Sequence, residues 1–129
     1  MPGVTTPISG ILRSVSLVTS NGGSVLTTGI IGTIIVPFSG IISSVSLLAD
    51  ETGNVVMDIW KTQFSSYPPT NTNTITASDL PTLSSAQSYQ DTTLTGWTTQ
   101  INPNDVLAFN INSVTNIKQL TVALGITAQ

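Results

Sequence analysis

The stretches SGILRSVSLVTS, starting at Ser9, and SGIISSVSLLAD, starting at Ser39, agree at seven of twelve positions. Both set Ile, Val or Leu against Ser at alternate places, the period of a strand with one wet face and one dry face. A chain that spends two segments this way is committed to sheet. The rest of the sequence agrees with it. Ile, Val, Thr, Phe and Trp fill the ordered stretches and Gly, Pro, Asn and Asp punctuate them, which is the vocabulary of strands and turns. Apolar residues at helical spacing are missing. Only SDLPTLSSAQ (Ser78 to Gln87) has room for a helical turn, and Pro81 limits it.

In GNVVMDIWK, Val55, Met57 and Ile59 share one face and Val56, Asp58 and Trp60 the other. The preceding ADETGN places Gly53 where a turn needs positive φ, so the reading is a hairpin back to GIISSVSLLA. There Ile41, Val45 and Leu47 form the better core face. The segment SSYPPTNTNTITASDLPTLSSAQSYQDTT then reads as one long loop, a binding surface or a spacer between sheets. Strands resume in TLTGWTTQI, turn at NPND, and continue through VLAFNINSV, where Leu107, Phe109 and Ile111 look buried. The last, TNIKQLTVALGITA, carries its apolar positions at Ile117, Val122, Leu124 and Ile126. Six or more short antiparallel strands with one long crossover predict an all-β fold, an antiparallel jelly-roll β-sandwich.

Charge narrows the function. Only 7% of the 129 residues are charged, against about 25% in an ordinary globular chain. Three basic residues, Arg13, Lys61 and Lys118, within a net charge of −3 cannot neutralise a run of phosphates, so nucleic acid is not an expected partner. His and Cys are both absent, which removes the usual proton shuttle, thiolate chemistry and the commonest metal ligand. Asp50, Glu51 and Asn54 offer oxygens but lack the alternating acids of a calcium loop, and read as a solvated hairpin. Asp58, inside a strand, is expected to face solvent or to bond backbone or Lys61. With no second acid or base at a defined distance, no catalytic residue, metal or cofactor is assigned and the chain is not read as an enzyme. The apolar run GIIGTIIVPF is about half of the ~20 residues needed to cross a bilayer. MPGVTTPISG lacks the cationic start of a signal peptide, so no membrane insertion is expected. A surface so poor in charge has little electrostatic protection against self-association, and association with copies is the expectation.

Several motifs follow one another in order: VPFSG (Val36 to Gly40), LLADETGNVVMDIWK (Leu47 to Lys61), YPPT (Tyr67 to Thr70), LSSAQ (Leu83 to Gln87), LTGWTTQI (Leu94 to Ile101) and DVLAFNINSV (Asp105 to Val114). Their succession, over about the last three quarters of the chain, resembles a jelly-roll module of bacteriophage virion proteins, found in tail-fibre tips and in small capsid decoration (cement) proteins. The resemblance implies a homotrimer on the virus surface, a virion location after assembly in the host cytoplasm, and the major capsid protein or another virion protein as partner. A trimeric tail-fibre module recognising a host surface glycan or protein is the alternative. The sequence departs from the usual pattern at Asn104-Asp105, where Gly-Asp is common, and at Val45, where an aromatic is frequent.

This module begins near Gly32, which divides the chain into an N-terminal arm or added hairpin, 1–31, and a sandwich, 32–129. The arm imitates a core strand, with TSNGGSV echoing ADETGNV, and looks for a sheet to join, in its own subunit or in a neighbour. Its candidate contacts are Ile8, Ile11, Leu12, Val15 and Leu17. Tyr67 and Tyr89 flank the long loop and are the candidate exposed contacts, whereas Trp97 after Gly96 reads as core.

Overall fold

The computed structural model describes residues 11–129. Seven strands follow in order: β1 (Ile11–Ser20), β2 (Gly29–Val36), β3 (Gly40–Gln63), β4 (Thr82–Asp91), β5 (Gln100–Ile101), β6 (Asp105–Thr115) and β7 (Gln119–Ala128). Two short 3₁₀ turns, Phe64–Ser66 and Asn71–Asn73, lie between β3 and β4. Every pairing is antiparallel. The fold is a jelly-roll β-sandwich.

The 24-residue β3 builds both layers. Its first half pairs with β7 and its second half with β6, while β4 follows it along the other side. One layer therefore runs β1-β7-β3-β4 and the other β2-β6-β3-β4, with β1 and β2 at open edges. Their inner faces make one core. Val45, Leu47, Val122, Leu124 and Ile126 come from the first layer, and Val55, Met57, Ile59, Leu107, Phe109 and Ile111 from the second. Within the first layer Val122 pairs with Leu17 on one side and Leu47 on the other. Ile75, Leu83, Leu94, Trp97 and Ile101 from the remaining elements and connections close the core. Each fully buried side chain of this kind contributes roughly 1.5–3 kcal/mol.

The segment read as the strand TLTGWTTQI is strand only at Gln100 and Ile101, with Leu94 and Gly96 at positive φ before it. Three further sequence readings change. First, ADETGN is not a turn: β3 runs straight through it, and Gly53 is buried without a positive φ. Glycine is needed there for space, because a Cβ would run into the Thr115 carbonyl and the Ile117 side chain. Second, Ile42 and not Ile41 joins Val45 and Leu47 in the core. The register slips between Ile42 and Ser44, and the extra residue, Ser43, moves the inward face by one place. Third, the long loop is shorter than read, since its last third is β4, and Ser78 to Gln87 contains no helix. β4 escaped notice because it buries only Leu83.

β1 pairs in cis with β7, register Ile11↔Ala128 to Ser20↔Gln119. The 31/32 boundary falls inside β2. Leu17 of β1 rests on Gly32 of β2, where a Cβ would come within 2.8 Å of its methyl groups. That contact closes the sandwich between its two open edges.

Candidate functional site

Of the arm residues, Ile8 lies outside the described residues. Leu12 is the most exposed large apolar side chain among those described, at 77%, and Ile11 is exposed at the strand's end. Val15 and Leu17 are half-buried and pack on the core. The structure thus separates the group: Leu12 faces outward, whereas Ile11 shares the face of Val15 and Leu17 and is exposed at the strand's end. Nine large apolar side chains are exposed among the described residues, and six of them (Ile11, Leu12, Val18, Val25, Ile30 and Ile35) lie on β1, β2 or the connection between them. Tyr67 is exposed too, and with Phe64 and Ile35 it lines an apolar groove of about 460 Å³. These side chains lie on or next to the two strands that offer unpaired backbone.

Tyr89 is not its companion. It is half-buried on β4, packs against the core, and lies close to Asp79 and Asp91. Burial, then the Asp91 and Asp79 charges, push its phenol upward. Hydrogen bonding to Asp91 raises the Asp79 carboxyl, while the Thr93 N–H, followed by Asp79, lowers Asp91. The carboxylate turns here are spent on backbone: Asp91 accepts from the Thr93 and Leu94 amides and Asp79 from the Thr95 amide.

The Asp50 region also has a structural role. Asp50 Oδ1 accepts the Lys118 and Gln119 amides at 3.1 and 3.0 Å, pinning the β6–β7 turn to β3. These bonds, chiefly that from Gln119, hold its carboxyl below the usual value. Asn54 accepts from the Ser85 amide and donates to Thr115 Oγ1. Lys61 Nζ donates to the Gln100 carbonyl at 2.6 Å, so its bond goes to backbone and not to Asp58.

Asp58 does not face solvent; it is buried, 9% exposed. Its Oδ1 accepts the Ile59 amide at 2.8 Å and the hydroxyls of Thr74 and Thr76 at 2.6 and 2.7 Å. Its Oδ2 accepts the Trp60 indole N–H at 3.1 Å. A buried carboxylate is costly unless its lone pairs are used, and this one recruits two threonines from the β3–β4 connection to do so. The strand-internal acid was visible in the sequence; Thr74 and Thr76 were not, being lost in a Thr-rich loop.

Asp58 and Trp60 also border a cleft of about 860 Å³ over the outer face of β3 and β6. Asn110 lies opposite Asp58 in the β3–β6 ladder. The register slips between Val56 and Met57, so Asn112 is an extra residue on β6, and it too lines the cleft. Asn110 Nδ2 donates to Asn112 Oδ1 at 2.7 Å. The signal for this pair was FNINS itself, since Asn is a poor strand residue.

No family model matches the chain, and no curated protein matches it either. Among solved structures it is similar to CpGH89CBM32-6 produced by Clostridium perfringens, at 14% identity and a TM-score of 0.45, over 90% of this chain and 94% of that one. A chain of the cyanophage Pam1 capsid asymmetric unit is similar at 14% identity and a TM-score of 0.39, over 100% of this chain and 93% of that one. The serine protease of Aeromonas sobria is similar at 5% identity and a TM-score of 0.36, over 90% of this chain and 27% of that one. Likenesses at this level say nothing about role.

Proposed function

We propose that this protein is a structural component of a bacteriophage particle and not an enzyme: a homotrimer that decorates or cements the capsid exterior. One observation carries the reading, the side formed by β1 and β2. Two consecutive strands there are open at their edges and, with their connection, hold six of the nine exposed large apolar residues among those described. Open edges and apolar patches are contact surfaces in folded proteins. A chain with 7% charged residues does little to keep copies apart. The ordered motifs from Val36 to Val114 supply the phage resemblance, and that module is commonly trimeric. Burial of the β1–β2 side against sibling chains would stabilise the trimer at about 25 cal/mol per Å² before the cost of association, leaving other surfaces for the major capsid protein.

The mass of the full chain in solution tests the trimer. Light scattering should give three times 13.4 kDa; a monomer at micromolar concentration would refute it. Copy number on particles separates decoration from a tail-fibre tip: many copies spread over the shell support the first, and a few at the tail support the second.

A further inference from the structure

We infer that the cleft over β3 and β6 binds a neutral carbohydrate, with Trp60 as the surface on which the sugar stacks and Asp58, Asn110 and Asn112 as partners for its hydroxyls. The cleft is formed within one chain and the inference goes beyond the trimer proposal, standing or falling separately from it.

Its volume, about 860 Å³, lies in the range of small-molecule sites. Trp60 is half-buried there, and the bond from its indole N–H to Asp58 Oδ2 fixes the ring. A fixed aromatic loses little freedom on contact with a ligand. Asp58 Oδ1 takes three donors, but Oδ2 takes only the indole. An ionised carboxylate oxygen accepts more than one hydrogen bond, so Oδ2 retains capacity for a ligand hydroxyl. The bond from Asn110 Nδ2 to Asn112 Oδ1 leaves the Asn110 carbonyl oxygen as an acceptor and the Asn112 amide nitrogen as a donor. Asn112 lies two residues from Asn110 on the same outer face of β6 and is the extra residue of a bulge in the β3–β6 ladder; bulges recur beside functional sites.

The chemistry selects the ligand class. The cleft combines a carboxylate, three amides (Asn71, Asn110 and Asn112) and an indole, and neither Lys nor Arg lines it. Phosphates, sulfates and acidic sugars would meet the Asp58 charge with no cation to offset it. A neutral sugar complements this lining, with hydroxyls that donate to Asp58 and Asn110 and accept from Asn112, and a C–H face for Trp60.

Titration of the full chain with D-glucose, D-galactose, L-rhamnose and N-acetyl-D-glucosamine, followed by calorimetry and by tryptophan fluorescence, tests this, with glucuronic acid and N-acetylneuraminic acid as anionic comparators. At least one neutral sugar should bind and both acids should bind more weakly. Asn112→Ala, at an exposed position, should weaken that binding by about tenfold with the thermal midpoint unchanged. Trp60→Phe should weaken it less than Trp60→Ala. No binding by any neutral sugar, equal binding of the acids, or an unchanged affinity in Asn112→Ala would each overturn the assignment. A monomeric protein that binds sugar would refute the trimer alone.

Discussion

Val15 and Val45 sit opposite the same residue, Leu124, one on each side of β7. The relation continues along the strand: Ser14 and Ser44 meet Gly125, Ser16 and Ser46 meet Ala123, and Leu17 and Leu47 meet Val122. The near-repetition of one phrase is therefore the imprint of a shared partner. β7 presents the same face and the same small residues to both neighbours, and both answer with the same sequence.

The open edges yield the first prediction. A charge on an edge strand discourages pairing with another chain. Val18→Lys and Ile35→Lys, both at exposed positions, should give a folded monomer by light scattering, with an unchanged circular dichroism spectrum. A variant that remains trimeric would show that the subunits meet elsewhere.

Asp58→Ala should destabilise the fold by about 3 kcal/mol, because it strands the hydroxyls of Thr74 and Thr76 and the Trp60 N–H in a partly buried setting. Denaturant midpoints at constant m-value measure it. A loss below about 0.5 kcal/mol, the usual range for an ordinary surface site, would contradict the network.

Glycines separate space from conformation. Gly53→Ala drives a Cβ into the Thr115 carbonyl and should cost about 1–3 kcal/mol. Gly22 has φ +57 and open surroundings, so Gly22→Ala should cost only the left-handed backbone penalty of about 1 kcal/mol. Urea unfolding of the two variants should rank them in that order.

Asp50 sets an acid-side dependence. Its folded pKa is lowered from 3.8, so its contribution is present above the unfolded value and is lost as pH falls through the folded one. Asp50→Ala should lower the thermal midpoint at pH 7, and the gap should close in strong acid. Asp79 has the opposite sign. Its raised pKa means that the protonated form favours the native state, a contribution lost as pH rises through the folded value. Asp79→Asn imitates that form and should raise the midpoint at pH 7, with little effect in acid.

Alternation made the sandwich legible. Val55, Met57 and Ile59, or Leu107, Phe109 and Ile111, are period-two sets whose side chains are buried in the core. What stayed hidden were the departures from that period. Ser43 exchanged Ile41 for Ile42, and the extra residue Asn112 shifted the β3–β6 register from Val56 onward; neither residue carries a mark that distinguishes a bulge. Gly53 failed for a different reason, since a glycine spared for close approach and one spared for a turn look alike in a sequence. The cleft was half visible. Asp58 and Trp60 stood out on one strand, but their partners Asn110 and Asn112 arrive from about fifty positions away, across a ladder that periodicity does not specify.

The twin seats beside β7 also make β1 an exchangeable part. Its fit depends on an address that every copy of the chain displays, and the Asn21–Ser24 link with Gly22 and Gly23 is the natural hinge. A strand delivered by a sibling would find the same neighbours as one delivered from within, so donor and acceptor differ only in connectivity. Exchange of this strand between copies would interlock subunits without a single new contact inside any seat.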